Sequence, residues 1–186
     1  MGIIRPALPV KLFIGIITGN QDLLPDVEPA LTAEFGPVDL RSAVYPFDFT
    51  AYYEDEMGAG LVRQFLGFER LIAPHFLPAA KLFTNDLEAR VVQHGPPVRR
   101  PVNLDPGYLE QGKIVLASTK NYYHRICLAD GIFAEVTLCF KDKQWHSFPW
   151  TFPDYRSSRY DDFFHALRRT YRAQLKRGVD EERRRQ

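Results

Sequence analysis

The sequence predicts an α+β domain with a ferredoxin-like (βαββαβ) core, extended by a β-hairpin and a C-terminal amphipathic helix. Three observations predict this core: an apolar run at 10–18, two segments with apolar residues at helical spacing, and strand-like segments flanking each of them. A right-handed crossover in each βαβ unit would place both helices on one face of a four-stranded antiparallel sheet.

The first βαβ unit covers residues 10–45. The run at 10–18 is nearly continuous in apolar and β-branched residues, which predicts a central strand that is covered on both faces. A helix is predicted over 26–35, with Asp26 as its N-cap, and Gly36-Pro37 would end it. Apolar and polar residues then alternate over 38–45, as in a half-buried strand.

The second unit repeats this order. Strand character resumes over 61–70, and Pro78 near the start of an apolar stripe predicts a helix over 78–93. Residues 98–104 form the fourth predicted strand. The connection at 46–58 combines aromatic rings with four carboxylates, so it is either a packed Ω-type loop or the wall of a site.

A β-hairpin is predicted around Asp130-Gly131, because a type I′ turn needs positive φ at both central residues. The predicted pairs are Ala129 with Ile132, Leu128 with Phe133, Cys127 with Ala134, Ile126 with Glu135, Arg125 with Val136, and His124 with Thr137. His124 and Glu135 would therefore be diagonal neighbours on one face of the hairpin.

The C-terminal part reads as an extended aromatic strap followed by a helix. Prolines keep residues 148–155 extended, Ser158 would cap the helix, and Gly178 would end it. Residues 4–178 are thus predicted to be a single domain, and 179–186 a charged tail that folding does not need.

Composition excludes several classes of protein. The longest apolar runs are shorter than the roughly 20 residues of a membrane-spanning helix, and Pro6 and Pro9 interrupt the one candidate for a secretory signal. We therefore expect a cytoplasmic protein without a membrane partner, whose oligomeric state stays open. Cys127 and Cys139 lack the spacing of a zinc site and are expected to be small buried hydrophobes without a disulfide.

Basic charge is concentrated at the C-terminus. The net charge is +1, but residues 156–186 contain ten basic and five acidic side chains. This segment is the predicted footprint for a polyanion. It supports an alternative function as an RNA- or protein-binding module that uses the basic helix and an aromatic surface, although the helix dipole also explains cations in its last turn.

A polar cluster over 103–137 is the candidate site. Asp105 and Glu135 would supply a base or a metal ligand. His124 is the candidate acid or base, with Glu135 as its orienting partner, because an ordinary histidine titrates near neutrality. Asp105-Pro106-Gly107 is predicted to be a tight turn after a strand. The candidate ligand-binding residues offer positive charge, amides and a phenol, and they are Asn103, Lys120, Asn121, Arg125 and Tyr108.

These residues favour a protein that binds or hydrolyses a small phosphorylated or nucleotide-like ligand, and whether it is an enzyme stays open. The five histidines are scattered singly, so a metal would be Mg²⁺ or Mn²⁺ held mainly by carboxylates. No G-x-x-x-x-G-K-[ST] phosphate loop and no G-x-S-x-G nucleophile elbow is present.

Seven short motifs also carry a family resemblance. They are Pro-Val-Lys-Leu-Phe-Ile-Gly at 9–15, Pro-Phe-Asp-Phe-Thr-Ala-Tyr-Tyr at 46–53, Thr-Asn-Asp-Leu-Glu at 84–88, Val-Asn-Leu-Asp-Pro-Gly-Tyr-Leu at 102–109, Thr-Lys-Asn at 119–121, His-Arg at 124–125 and Trp-Thr-Phe-Pro-Asp-Tyr at 150–155. Together they resemble an uncharacterised bacterial and archaeal family, domain-of-unknown-function family 4416, over nearly the whole chain. The resemblance implies no established activity.

Overall fold

The computed structural model describes residues 2–49, 53–94 and 98–185. Over these residues the chain forms one antiparallel sheet of nine strands and five α-helices. The strands are β1 (Val10–Thr18), β2 (Val38–Arg41), β3 (Tyr45–Pro46), β4 (Val62–Ile72), β5 (Val102–Leu109), β6 (Lys113–Ser118), β7 (Ile126–Ala129), β8 (Ile132–Lys141) and β9 (Gln144–Ser147). The helices are α1 (Leu23–Phe35), α2 (Glu54–Met57), α3 (Leu77–His94), α4 (Pro153–Arg156) and α5 (Asp161–Arg185).

The α+β class is confirmed, but the sheet is larger than the four-stranded ferredoxin-like sheet that the sequence predicts. Its strand order is β2-β4-β1-β5-β6-β8-β7, with β3 paired to β4 and β9 paired to β8. The strands after β5 join the same sheet through the β5–β6 pair. The predicted hairpin therefore adds strands to the core sheet rather than covering one of its faces.

Two helical layers cover the two faces of the sheet. All nine residues of β1 are buried, and β1 lies between β4 and β5 as predicted for a central strand. Alternate residues of β1 contact α1 and α3 on one face, and Phe13 contacts α5 on the other. The charged Lys11 is fully buried in β1 and forms an ion pair with Asp39. This arrangement fixes which strand faces can form a site.

Helix bounds differ from the predictions at both ends of the chain. Helix α1 begins at Leu23, not at 26, because Pro25 occupies the first turn, where no N–H is needed. Pro29, which an N-cap at Asp26 would place in the first turn, lies inside the helix. Helix α5 continues through Gly178 to Arg185, since the roughly 1 kcal/mol cost of a helical glycine does not by itself end a helix.

Strand bounds differ as well. The predicted strand 38–45 is divided into β2 and β3, because the Ser42 hydroxyl, rather than a backbone carbonyl, accepts the N–H of Phe65 at 2.9 Å. The predicted strand 98–104 lies instead at 102–109, so Asp105-Pro106-Gly107 is strand interior and not a tight turn. The strap at 148–155 ends in helix α4.

The hairpin turn is confirmed, whereas its register is wrong beyond the first pair. Asp130 and Gly131 have φ of 53° and 74°, and Ala129 faces Ile132. An irregularity then shifts β7 by one residue, so Cys127 faces Phe133 rather than Ala134. Cys127 and Cys139 are free thiols, and Cys127 is exposed rather than buried.

Candidate functional site

A cavity of about 380 Å³ opens where β5 and β6 separate. The two strands pair from Gly107 to Leu109 of β5, and the next residue towards the cavity is Pro106. Proline has no N–H to offer a neighbouring strand, so it ends a hydrogen-bond ladder on that side. Asn103 and Asp105 of β5 and residues 116–118 of β6 consequently line the opening instead of facing each other.

Helix α3 completes the hydrogen bonds that β6 leaves unmade. Lys81, only 5% exposed, donates from Nζ to the carbonyl of Leu104 at 2.8 Å. Glu88 accepts the N–H of Leu104 at 2.7 Å. These two side chains therefore replace a neighbouring strand at the separated part of β5, where unpaired backbone groups would be costly.

Arg63 on β4 lies at the floor of the cavity between two carboxylates. Its Nη2 donates to Oδ2 of Asp105 at 3.1 Å, and its Nη1 lies 3.0 Å from Oδ2 of Asp154 on α4. The guanidinium also lies 5.2 to 5.5 Å from the ring centres of Phe47, Phe65 and Tyr155. Arg63 is 4% exposed, so the floor is a buried ion triad enclosed by aromatic rings.

Two more polar side chains surround Asp105. Asn103 donates from Nδ2 to Oδ2 of Asp105 at 2.7 Å, and Lys81 Nζ lies 3.8 Å from Oδ1. Arg100 donates to Oε2 of Glu88 at 3.0 Å and also to the side-chain oxygen of Asn103. We call Arg63, Lys81, Asn103, Asp105 and Asp154 the floor cluster.

Burial sets the proton affinity of several groups at the floor. It raises the pKa of the Asp154 carboxyl, which the charge of Arg63 partly opposes. Burial likewise raises the pKa of Glu88, opposed by Lys81 and Arg100, and raises the pKa of the Tyr155 phenol well above its ordinary value. The floor thus holds its charges against a strong desolvation penalty.

A second cluster forms the rim of the cavity next to the hairpin. Glu135, 3% exposed, accepts hydrogen bonds at Oε2 from Arg125 Nε at 2.8 Å, and its Oε2 lies 3.0 Å from His124 Nε2. Nη1 of Arg125 donates at 2.9 Å to both the Ser118 hydroxyl and the Lys120 carbonyl. Arg125 therefore ties the β6–β7 loop, which carries Lys120, to the buried carboxylate of Glu135.

His124 belongs to the same β6–β7 loop and also contacts Glu135. Its ring stacks on Trp150 at 5.3 Å, and Trp150 stacks on Phe148 at 5.0 Å. Among the residues that the structure describes, Nδ1 of His124 is buried without a hydrogen-bond partner. This ladder of rings fixes the orientation of His124 towards Glu135.

The structure brings five of the sequence-predicted site residues to one cavity and leaves three outside its lining. The five are Asn103, Asp105, Lys120, Arg125 and Glu135. His124 reaches the cavity through Glu135, Asn121 is exposed in the loop, and Tyr108 packs against the core on the α1 and α3 face. The roles predicted for these residues remain predictions.

Sequence reasoning missed Arg63, Lys81, Arg100 and Asp154, which also line the cavity. Two of them had a signal: Arg63 and Lys81 are single charges within apolar segments, Leu-Val-Arg-Gln-Phe and Ala-Ala-Lys-Leu-Phe. A charge in a segment that will be buried must find a partner inside the protein. Aromatic residues of the 46–58 connection, Phe47, Phe49 and Tyr53, form part of the cavity wall.

Within residues 2–49, 53–94 and 98–185, no three His, Cys, Asp or Glu side chains come together as a potential metal-ligand set. No helix in these ranges has both the length and the apolar character that a membrane crossing requires.

Comparison with known proteins yields one match. Neither the curated proteins nor the solved structures give a significant match to this chain. The family described as Domain of unknown function (DUF4416) matches residues 8–171, which include every strand, the floor cluster and the rim. The chain therefore belongs to the DUF4416 family.

Proposed function

We propose that the chain binds a small phosphorylated or nucleotide-like ligand in the cavity between β5 and β6, in the cytoplasm, where its two free thiols would stay reduced. The observation that carries this proposal is the cavity itself. Its volume of about 380 Å³ lies within the roughly 300–1,000 Å³ of small-molecule sites. A buried arginine lies at its floor, and Lys120 and Arg125 lie at its rim.

The walls of the cavity offer what such a ligand needs. Phe47, Phe49 and Phe152 supply apolar surface for a ring. Ser118 and Lys120 supply a hydroxyl and an ammonium group, which are donors that bind phosphate oxygens. A few polar groups among apolar walls are typical of sites for small metabolites.

Asp105 and Glu135 both line the cavity, and Asp105 is the more exposed of these two catalytic candidates. Arg63 and Asn103 occupy its Oδ2, whereas the nearest ion-pair partner of Oδ1 is Lys81 at 3.8 Å. The Asp105 side chain is 27% exposed at the cavity. An ionised carboxylate in this position can accept a proton from water or from a ligand hydroxyl. The acid or base role predicted for His124 would act on the ligand through Glu135.

The ferredoxin-like description also belongs to this proposal. We apply it to the part of the sheet in the order β2-β4-β1-β5, together with α1 and α3, which share one face. The cavity then lies at the edge of that unit, where the added strands begin.

Isothermal titration calorimetry with inorganic phosphate, ribose 5-phosphate and AMP, each with and without Mg²⁺, tests the binding proposal. We expect saturable binding of at least one phosphorylated compound. Lys120→Gln should weaken it about tenfold, since hydrogen bonds to charged groups contribute about 1.5–3 kcal/mol. Lys141→Gln is the matched control, because Lys141 is an exposed lysine at the end of β8.

The titrations decide whether the binding proposal holds and whether hydrolysis needs to be tested. If none of the three compounds binds saturably, the proposal is wrong. If one binds, phosphate release from it shows whether the chain is a hydrolase, and Asp105→Asn should then abolish release while binding persists.

A specific observation favours the alternative function as an RNA- or protein-binding module. Arg169, Arg172 and Lys176 are exposed and lie three and four residues apart, so they form one stripe on α5. The charge reversals Arg172→Glu and Lys176→Glu would then abolish RNA binding that weakens steeply with salt. Such variants should leave binding in the cavity unchanged.

A further inference from the structure

Asp105 is held in one orientation at the floor of the cavity. Its Oδ2 accepts hydrogen bonds from Arg63 Nη2 at 3.1 Å and from Asn103 Nδ2 at 2.7 Å. The amide of Asn103 is fixed in turn by Arg100, which donates to its side-chain oxygen. Because these bonds all converge on one side of the carboxylate, its other oxygen, Oδ1, is left for the cavity.

Oδ1 of Asp105 can accept hydrogen bonds that the protein itself does not supply. Among the described residues, none donates a hydrogen bond to this atom, and its ion-pair partner Lys81 Nζ lies 3.8 Å away, beyond hydrogen-bond distance. The Asp105 side chain is 27% exposed, whereas those of Arg63 and Asp154 are 4% and 5% exposed. Asp105 is therefore the member of this ion triad that a ligand can reach.

Lys81 places a donor beside this acceptor. An ammonium group has three N–H donors, and the hydrogen bond that Lys81 makes within the described residues goes to the Leu104 carbonyl at 2.8 Å. Lys81 and Asp105 both line the cavity. A donor and an acceptor consequently lie 3.8 Å apart on its floor.

The charges of the floor cluster restrict which ligand group can bind there. The cluster contains two cations, Arg63 and Lys81, and two carboxylates, Asp105 and Asp154. A charged ligand group would lose its hydration at the floor without meeting an excess of opposite charge. A neutral hydroxyl avoids this cost, and it both donates and accepts hydrogen bonds. Two adjacent hydroxyls match an acceptor that lies next to a donor.

We infer that the floor recognises a vicinal diol of the ligand: one hydroxyl donates to Oδ1 of Asp105, and its neighbour accepts from Nζ of Lys81. This inference rests on the proposed function and narrows it. The ligand class is a phosphorylated compound that carries ribose or another sugar with adjacent free hydroxyls. Recognition of a ribose hydroxyl by a carboxylate is also a feature of dinucleotide-binding folds.

Calorimetry with two matched pairs of compounds tests the diol. The pairs are ribose 5-phosphate with 2-deoxyribose 5-phosphate, and AMP with 2′-deoxy-AMP. In each pair the second compound lacks one hydroxyl and has no vicinal diol, while its phosphate is unchanged. We expect the deoxy compound to bind at least about tenfold more weakly, since a site built to hydrogen-bond a hydroxyl discriminates against the analogue that lacks it.

Asp105→Asn tests whether the floor is responsible for this discrimination. The amide keeps the shape of the side chain and loses its charge, so binding should persist while the ratio between the ribose and deoxyribose compounds falls at least about threefold. Asp142→Asn, at an exposed turn, is the matched control and should leave the ratio unchanged. Circular dichroism confirms that each variant is folded. If Asp105→Asn does not fold, Asp105→Glu keeps the charge but displaces the oxygens, and it should lower the ratio in the same way.

The outcomes distinguish this inference from the function on which it rests. Deoxy compounds that bind as tightly as their ribose partners overturn the diol and leave the proposed function standing. A ratio that the Asp105 variant does not change overturns the role of the floor. If inorganic phosphate binds and neither ribose compound does, the diol is wrong and the proposed function stands. If no phosphorylated compound and no phosphate binds, both are wrong.

Discussion

The same two strands, β5 and β6, build a sealed region and an open one. In the sealed region Gly107 faces Leu116, and the apolar side chains of Leu109, Ile114 and Leu116 pack with α5. In the open region, beyond Pro106, β5 presents Asn103 and Asp105 to a cavity. The difference shows that one missing N–H can separate a packed core from a polar site along a single strand.

The two regions also satisfy their backbones differently. In the sealed region the strands complete each other's hydrogen bonds. In the open region Lys81 and Glu88 supply the partners of Leu104 from a helix. Side chains that perform a structural task at the edge of a cavity thereby become part of its lining. This explains why so many charges occur at the floor.

The largest expected effect tests whether stability lies mainly in the sealed region. Phe164 on α5 is fully buried against Phe13, with ring centres 5.3 Å apart. Phe164→Ala should lower the free energy of unfolding by about 3–5 kcal/mol, measured by urea denaturation. Phe152→Ala is the matched change in the open region, where the ring is 36% exposed. A loss at Phe152 as large as that at Phe164 would contradict the comparison.

A smaller loss of stability is expected at Gly107, the first residue of β5 that pairs with β6. A Cβ added to Gly107 would lie 2.7 Å from atoms of Phe13, Leu116 and the Val115 backbone. Gly107→Ala should therefore cost about 1–3 kcal/mol of unfolding free energy through overpacking. Gly112→Ala is the control, because its Cβ would meet no atom within 4 Å. Equal stability of the two variants would show that the sealed region can widen freely.

The pH dependence of stability tests the open region. Burial raises the pKa of Asp154 above its ordinary value of 3.8, so the folded chain binds that proton more readily than the unfolded chain. The resulting stability is present below the ordinary value and is lost as pH rises through the folded pKa. Asp154→Asn removes this titration.

The free energy of unfolding of the wild type, relative to Asp154→Asn, should therefore fall as pH rises above the ordinary value and through the raised pKa of Asp154. Urea denaturation at several pH values measures it, and Asp142→Asn at an exposed turn serves as control. A difference that grows with pH would mean that attraction to Arg63 outweighs the burial of Asp154.

The smallest effect is expected outside both regions. We propose that residues 179–186 are dispensable for folding, although the α5 backbone continues as a helix to Arg185. The last described α5 side chain in the core beneath this helix is Leu175. Deleting 179–186 should change the free energy of unfolding by less than about 1 kcal/mol, as for surface changes generally. A large drop in melting temperature would show that the C-terminus is docked.

Part of this protein could be predicted from local sequence alone. The apolar run at β1, the stripes of α1 and α3, and the Asp130-Gly131 turn each depend on neighbouring residues, so their signals are complete within a short window. His124 and Glu135 also meet, although by a route other than the predicted register. Local rules identified these segments and five of the polar residues that line the cavity.

Only the tertiary structure decided where the cavity lies and what forms its floor. The sequence Asp-Pro-Gly is typical of a turn, and the partners available from β1 on one side turned it into a strand. Arg63, Lys81 and Asp154 come from β4, α3 and α4, and no spacing rule connects three segments so far apart in the chain. Their meeting depends on the sheet order and on the energetic need of each buried charge for a partner.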